Sequence, residues 1–185
     1  MESLVTYLVA AMLAWVPLYA QPRSESPDAS QAHYESIARD LASVVWDDAE
    51  QPLFDGPDAR AQTALLMLSI ASFESSYQVK VDEGNRRGDN GRSYCLMQIH
   101  VGEGKTREGW SGSELVSDRT RCFRAALHML HASFNACRAF PFEDRLGAYA
   151  TGHCFQGASV SRSRMSRARN YWLAHAPPRH SASEG

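Results

Sequence analysis

The chain has 185 residues, of which 44% are hydrophobic and 22% are charged, and its formal net charge is −2. This length fits one domain with short extensions, and this composition excludes wholesale disorder, a collagen-like repeat and a long coiled coil. A net charge so close to zero gives no support to a nucleic-acid-binding protein. The charge is uneven, because residues 1–100 carry 7 basic and 14 acidic side chains and residues 101–185 carry 12 and 7. The basic half could meet an acidic polymer, although solvated basic faces are commoner.

The first predicted element is an apolar segment. Residues 4–20 are almost all apolar and end in Leu-Tyr-Ala, which resembles the core of a secretory signal before a cleavage site. No Lys or Arg precedes this segment, however, and Glu2 places an acid where a signal carries positive charge. The alternative is a first helix that packs on the domain, and residues 1–20 leave both interpretations open. Pro17 and the short length argue against a membrane span.

After residue 20 the sequence predicts a linker, one mainly α-helical (α+β) domain and a loose tail. These parts are residues 21–32, 33–175 and 176–185. Within the domain, residues 59–74 are apolar on almost every face, which is typical of a helix buried on all sides. Glu74 is the last residue of this predicted helix.

The other helices follow from apolar residues spaced at helical intervals. These patterns lie at residues 34–45, 121–137, 144–151 and 165–172. Residues 77–93 change to a brief alternation and then to clusters of Gly and Asn, which predicts loops and a small hairpin. The domain is therefore expected to be helical with one irregular or β-containing excursion.

Glu74 is the strongest candidate for chemistry because it ends the most apolar helix. An apolar environment disfavours a charged carboxylate, so we expect burial to raise the pKa of this carboxyl. A carboxyl that is protonated at working pH can donate a proton, and cleavage of a glycosidic bond needs such a donor for the leaving oxygen. Judged by this residue alone, a solvent-exposed glutamate at a helix end is the alternative.

Three separated segments extend this hypothesis: Phe-Glu-Ser-Ser at 73–76, Cys-Leu-Met-Gln-Ile at 95–99 and Ala-Tyr-Ala-Thr-Gly at 148–152. Their order and spacing resemble the soluble lytic transglycosylase family, whose fold goose-type lysozymes share. The resemblance covers roughly residues 60 to 155 and implies a lysozyme-like fold. It also implies an enzyme that cleaves the β-1,4 bond between N-acetylmuramic acid and N-acetylglucosamine in peptidoglycan.

The resemblance implies roles for individual residues. Glu74 matches the catalytic acid, which later serves as the base. Ser75 matches a serine that hydrogen-bonds in the substrate cleft, and Met97 and Gln98 match a pair that lines the cleft beside the reacting sugar. Tyr149 matches a tyrosine whose hydroxyl reaches toward the catalytic carboxyl and orients it.

Two positions depart from the family pattern. Cys95 stands where the family usually has glycine, which puts the tight backbone turn in question. Ala150 stands where the family usually has asparagine, so an amide that helps to shape the site is missing. These departures motivate a hypothesis of another class, a catalytically inactive peptidoglycan-binding module that keeps the fold and the groove.

The product depends on whether a second carboxylate takes part. In lytic transglycosylases none does: the substrate's N-acetyl group supports the anomeric carbon, and attack by the muramoyl 6-hydroxyl gives a 1,6-anhydromuramoyl product. A goose-type-like muramidase, which uses water, needs a second carboxylate. Asp82, Glu83 and Asp89 lie between Glu74 and Gln98 and are the candidates, with solvated loop acids as the alternative. We therefore expect a transglycosylase and keep hydrolysis as the second hypothesis.

The four cysteines include no Cys-x-x-Cys pair and favour disulfides in an exported protein. On one helix, Cys122 and Cys137 would lie ~22 Å apart at ~1.5 Å per residue, which is too far for a disulfide. If the chain turns back near Pro141 as a helical hairpin, Cys154 comes level with Cys122. The predicted bridge is therefore Cys122–Cys154, and free buried cysteines are the alternative.

The remaining polar clusters predict no further site. His128 and His131 lie on one helix without a metal-binding motif and are expected to be ordinary helix residues. The arginines at 162, 164, 167 and 169 predict a solvated face, with docking of an anionic wall polymer as the alternative. We expect no metal or organic cofactor, no nucleic-acid partner, no stable membrane span, and a monomer that acts on peptidoglycan glycan strands. An extracytoplasmic location in the periplasm, cell envelope or medium follows, with a phage-associated enzyme as an alternative.

Overall fold

A computed structural model describes residues 2–22, 26–101 and 104–175. In this part of the chain the protein is mainly helical with one small sheet, as the sequence predicts. The helices are α1 (Glu2–Trp15), α2 (Pro27–Val45), α3 (Ala59–Glu74), α4 (Val79–Asp82), α5 (Gly112–Ser117), α6 (Arg119–Ala136), α7 (Gly147–Thr151) and α8 (Ala158–His175). Short 3-10 turns cover Leu18–Ala20, Asp89–Gly91 and Phe142–Asp144. Strands β1 (Ser93–Tyr94) and β2 (Ile99–His100) pair antiparallel, with Tyr94 opposite Ile99. The predicted tail lies outside the described residues.

Helix α3 is the centre of the core, and its all-apolar sequence explains why. It packs against α8, α1 and α2, and Leu65, Leu66 and Ile70 are almost completely buried. Burial of one such side chain is worth about 1.5–3 kcal/mol, so this helix is held firmly in place. The last residue of α3 is Glu74, which therefore sits on a rigid support.

The apolar N-terminal segment forms α1 and packs on the domain. Leu8, Ala11 and Met12 are fully buried against neighbouring helices. The ring centroids of Tyr7 and Trp15 lie 5.5 Å and 5.4 Å, respectively, from the ring centroid of Tyr171 in α8. Whether this segment also serves as an export signal stays a prediction. Among the described residues, no helix is long and apolar enough to cross a membrane.

Helix α2 begins earlier than the sequence predicts, so residues 27–32 of the expected linker are helical. The reason is a helix cap. The Ser26 hydroxyl accepts the N–H of Ala29, and Pro27 occupies the first turn, where its missing N–H is not needed. Ser and Pro are loop residues in many contexts, but here they start a helix.

The disulfides join Cys95 to Cys122 and Cys137 to Cys154, so the predicted Cys122–Cys154 bridge is wrong. Helix α6 does separate Cys122 from Cys137, as expected. The return helix ends before Gly152 as predicted, but it spans only Gly147–Thr151 instead of 144–151, and Gly152 follows it in the left-handed conformation. The chain therefore stays near the C-terminal end of α6, where the Cα atoms of Cys154 and Cys137 are 5.5 Å apart.

Candidate functional site

A cavity of about 670 Å³ lies beside the C-terminal end of α3. It is lined by the end of α3, the turn at Gly88 and Asp89, the β1–β2 hairpin, α7 and one residue of α6. Four of the five predicted site residues line it: Glu74, Met97, Gln98 and Tyr149. The fold thus brings together three segments that are far apart in the chain.

Ser75 is the predicted site residue that does not line this cavity. It is buried, and its hydroxyl donates to the Ala71 carbonyl at 2.9 Å and accepts the Tyr77 N–H at 3.2 Å. Both bonds lie within the end of α3 and the turn that follows it. Ser75 therefore caps the C-terminal end of α3, directly after Glu74. It also lines a smaller adjacent cavity.

The Glu74 carboxyl lies between the cavity and a buried arginine. Its side chain is 23% exposed, and its Oε1 accepts a hydrogen bond from Arg164 Nη2 at 2.5 Å. Burial raises the pKa of Glu74, the positive charge of Arg164 opposes this rise, and the negative charge of Asp89 adds to it. The result is a carboxyl that holds its proton to a higher pH than an exposed glutamate does.

Arg164 is the residue of the candidate site that the sequence-based prediction missed. It is only 8% exposed, so the predicted solvated face is wrong at this position. Its Nη1 donates to the Val160 carbonyl at 3.3 Å, and its guanidinium lies 5.4 Å from the ring centroid of Phe73. A buried cation is unfavourable unless it is paired, so Glu74 and Arg164 stabilise each other.

A sequence signal for Arg164 did exist. The residues of α8 that are buried are Ser161, Arg164, Ala168 and Tyr171. They follow one another at intervals of three and four, which is the spacing of one helix face. Arg164 falls on this face.

The other three arginines of this run differ among themselves. Arg162 donates to Asp144 at 2.8 Å, and Arg167 lies 3.8 Å from the ring centroid of Phe73 and donates to the Ser72 hydroxyl. Arg169 is exposed. The four arginines at 162–169 therefore have different environments and do not form one solvated face.

Met97 and Gln98 are positioned by the tight turn of the hairpin. The Gln98 N–H and its Nε2 both donate to the Cys95 carbonyl, at 3.0 and 2.9 Å. Cys95 and Gln98 have φ values of +58° and +49°, which lie in the left-handed region. This conformation costs each L-residue about 1–2 kcal/mol. Cys95 thus adopts the backbone conformation that a glycine there would adopt easily. The Cys95–Cys122 disulfide fastens this turn to α6.

Gly88 supports the same turn from outside. A Cβ atom at this position would clash with the Oε1 of Gln98. The main chain therefore approaches the amide closely, and a larger residue here would require the Gln98 side chain to move. This close approach limits the conformations open to the Gln98 side chain.

Tyr149 holds the hairpin turn. Its hydroxyl donates to the Met97 carbonyl at 2.9 Å, and its own N–H donates to the Ser133 hydroxyl at 3.0 Å. This differs from the implied role, in which the hydroxyl orients the carboxyl of Glu74. Burial, together with the negative charge of Glu74, raises the pKa of the Tyr149 phenol, so the hydroxyl remains a donor. Ala150 also lines the cavity, where it presents a methyl group.

Of the three candidate second carboxylates, Asp89 alone lines the cavity with Glu74. Hydrogen bonds from Ser93 and His100 lower the pKa of Asp89, since both favour its charged form. Asp82 is buried in an ion pair with Arg119, at 2.5 Å from Oδ2 to Nη2. Glu83 is exposed on the surface.

The helix histidines have structural partners. His128 contacts Glu108 at 2.7 Å and Glu50 at 2.9 Å, and His131 Nε2 lies 2.8 Å from the Gln51 carbonyl oxygen. Burial alone would lower the pKa of His128, but its hydrogen bonds to the two glutamates raise it above the ordinary value. Within the ranges that the structure describes, no three His, Cys, Asp or Glu side chains are grouped so that they could hold a metal ion.

Comparisons with protein-family models, with curated proteins and with solved structures found no match to this chain.

Proposed function

We propose that the protein is a peptidoglycan-cleaving lytic transglycosylase with a lysozyme-like fold and with Glu74 as its general acid and base. One observation carries this proposal: a half-buried carboxyl with a raised pKa ends the central helix and faces a cavity lined by Met97, Gln98 and Tyr149. Glycoside cleavage needs a protonated carboxyl beside a groove that can hold a sugar chain.

In the proposed reaction, Glu74 first acts as an acid. Its proton passes to the glycosidic oxygen as the bond from this oxygen to C1 of the muramoyl sugar breaks. The N-acetyl oxygen of the same sugar forms a bond to C1, so no protein nucleophile is needed. The Glu74 carboxylate then takes the proton of the 6-hydroxyl, whose oxygen attacks C1 and displaces the N-acetyl oxygen. The product is the 1,6-anhydromuramoyl sugar.

Arg164 and Gln98 have supporting roles in this proposal. When Glu74 has given up its proton, the carboxylate forms 2.5 Å from a fixed cation, which stabilises the charged intermediate state. Burial raises the pKa of Glu74 and Arg164 lowers it, and the two effects together keep the carboxyl usable both as an acid and as a base. The amide of Gln98 offers donors and an acceptor to an N-acetyl or hydroxyl group of the sugar.

Hydrolysis is the second candidate function, and Asp89 is the observation that favours it. Asp89 lines the same cavity as Glu74, and the pKa values of the two carboxyls are shifted in opposite directions. Such a pair, one protonated and one ionised, is what a hydrolase needs to protonate the leaving oxygen and to hold water. An inactive binding module has less support, because a module of that kind has no need of a buried carboxyl in its groove.

An extracytoplasmic location is part of the proposal. The two disulfides of the described chain fit an oxidising compartment, and peptidoglycan lies outside the cytoplasm. Action as a monomer remains a prediction.

The test is digestion of purified peptidoglycan followed by mass analysis of the released muropeptides. We expect 1,6-anhydro products from the wild-type protein, and a loss of rate of about 100- to 10,000-fold for Glu74→Gln, which cannot donate the proton. Glu83→Gln is the matched control, because it removes an exposed carboxyl outside the cavity. Products that contain an added water molecule, with a loss of rate in Asp89→Asn, would instead establish hydrolysis. Equal rates for Glu74→Gln and wild type would remove Glu74 from the mechanism.

A further inference from the structure

A second cavity of about 330 Å³ adjoins the first at Glu74. Its lining includes Glu74, Gly88 and Gln98, which also line the first cavity. The two adjoining cavities are together called the groove, with a larger half that α7 lines and a smaller half that the loop after α4 lines. The smaller half also contains Phe73, Arg86 and Arg87.

The two halves of the groove differ in charge. The larger half contains Asp89 and His100, and none of the described residues that line it is Arg or Lys. The smaller half contains Arg86 and Arg87, both exposed. Among the described residues that line the groove, Arg and Lys therefore occur only in the smaller half.

Both arginines are held in place by uncharged partners. Arg86 Nη1 donates to Gln78 Oε1 at 3.2 Å, and Arg87 Nε donates to the Gly84 carbonyl at 3.2 Å. The Arg87 guanidinium also lies 4.8 Å from the ring centroid of Tyr94. In residues 2–22, 26–101 and 104–175, no carboxylate lies within 4.0 Å of either guanidinium. Each guanidinium has further N–H groups that can bind an anion.

We propose that the smaller half of the groove binds the carboxylate-bearing peptide attached to the muramoyl sugar. This proposal rests on the proposed function and adds a substrate preference to it. The lactyl group of a muramoyl sugar carries a short peptide with free carboxylates, whereas N-acetylglucosamine is neutral. A planar guanidinium can bind a carboxylate through two parallel hydrogen bonds, and two such groups are aimed at this half. The enzyme therefore prefers glycan strands that carry peptides to strands from which the peptides have been removed.

Direct binding tests this preference without any turnover. In the Glu74→Gln protein, calorimetry measures the affinity for a disaccharide muropeptide and for the same disaccharide without its peptide. We expect the muropeptide to bind about five-fold more tightly, the size of effect that exposed charge pairs give, and the preference to weaken as salt is added. In the Arg86→Gln/Arg87→Gln double variant, the preference should fall below about two-fold.

Arg92→Gln is the matched control, because Arg92 is exposed in the same loop region but does not line the cavity. It should keep the full preference, and the single variants Arg86→Gln and Arg87→Gln should each keep part of it. Equal affinities for the two ligands, binding of neither, or a preference that survives the double substitution would each overturn the proposal. An inactive wild-type protein would contradict the proposed reaction and leave this binding result standing, so the two failures can be told apart.

Discussion

Arg164 Nη2, from the middle of α8, lies 2.5 Å from Oε1 of Glu74, the last residue of α3. The two residues are 90 positions apart in the chain, and the packing of α8 on α3 brings them together. Burial raises the pKa of the Glu74 carboxyl, and the neighbouring cation of Arg164 lowers it. This pair consequently sets the pH range in which the proposed acid is protonated.

Removal of the Arg164 charge should shift the pH profile of kcat/KM to higher pH. In Arg164→Gln the carboxylate form of Glu74 loses the cation that lowers its pKa, so the pKa of Glu74 rises further. Glu74 must be protonated to act first, so the rate falls as the pH rises through this pKa. The falling limb of kcat/KM should therefore move to higher pH, and initial rates on peptidoglycan across pH measure it.

Two further variants make this measurement specific to the ion pair. Arg164→Lys keeps a positive charge and should hold the limb closer to its wild-type position. Arg169→Gln removes an exposed arginine of the same helix and should leave the profile unchanged. An unchanged limb in Arg164→Gln would mean that the ion pair has no part in tuning the acid.

Loss of the Cys95–Cys122 disulfide should impair both stability and activity. In Cys95→Ala/Cys122→Ala the unfolded chain gains freedom, which lowers the free energy of unfolding by about 2–4 kcal/mol. The turn that carries Met97 and Gln98 also loses its attachment to α6, so kcat/KM should fall. Urea denaturation and muropeptide release measure the two effects.

Removal of the Cys137–Cys154 disulfide is the control that separates the loss of stability from the loss of activity. Cys137→Ala/Cys154→Ala should lower the free energy of unfolding by a similar amount, about 2–4 kcal/mol, but it leaves the hairpin turn attached. If both double variants lost activity equally at a temperature where they are folded, the link between the turn and the reaction would be disproved.

His128 should stabilise the fold in a pH-dependent way. The folded-state pKa of His128 is raised, so its stabilising charge is fully present below the unfolded pKa of about 6.5 and is lost as pH rises through the folded value. The side chain is partly exposed to water, so His128→Gln should lower the free energy of unfolding by less than about 1 kcal/mol at low pH. The difference should shrink at high pH. Urea denaturation at about pH 5.5 and about pH 9 tests this, on either side of the ordinary histidine pKa.

His131→Gln serves as the control, since the partner of His131 is an uncharged backbone carbonyl. A deficit in His128→Gln that is equally large at both pH values would show that hydrogen bonding or packing, and not the charge, is responsible.

Truncation of the chain before Gln21 should destabilise the fold. It removes α1 and leaves the apolar surfaces of α2, α3 and α8 uncovered, and each buried side chain of α1 the size of Leu8 is worth about 1.5–3 kcal/mol. We expect residues 21–185 to unfold at a markedly lower temperature or without a sharp transition, as followed by circular dichroism. A truncated chain that melts like the full chain would show that α1 is dispensable.

The central helix could be predicted from sequence because its signal is local. Residues 59–74 have no polar face, so any globular fold must bury them, and Glu74 follows as the polar end of a buried helix. The disulfide pairing could not be predicted in this way. It depends on how far the chain travels back along α6, and α7, which spans only Gly147–Thr151, is too short to bring Cys154 level with Cys122.

The burial of Arg164 lies between these two cases. Its position on the buried face of α8 is a local signal, but four arginines in eight residues outweigh that signal in any estimate based on composition. Its partner belongs to another helix, so only the packing of α8 on α3 reveals why a cation is tolerated there.

The left-handed turn at Cys95 has a consequence for where the protein becomes active. A glycine would form this turn as soon as the chain folds, whereas Cys95 is fastened there by a covalent bond that needs an oxidant. A newly made chain in a reducing compartment would carry four thiols, and the turn at Cys95 would not be attached to α6. If the protein is the exported transglycosylase proposed above, oxidation after export would complete the groove, and the cell that makes it would be shielded from its activity during synthesis.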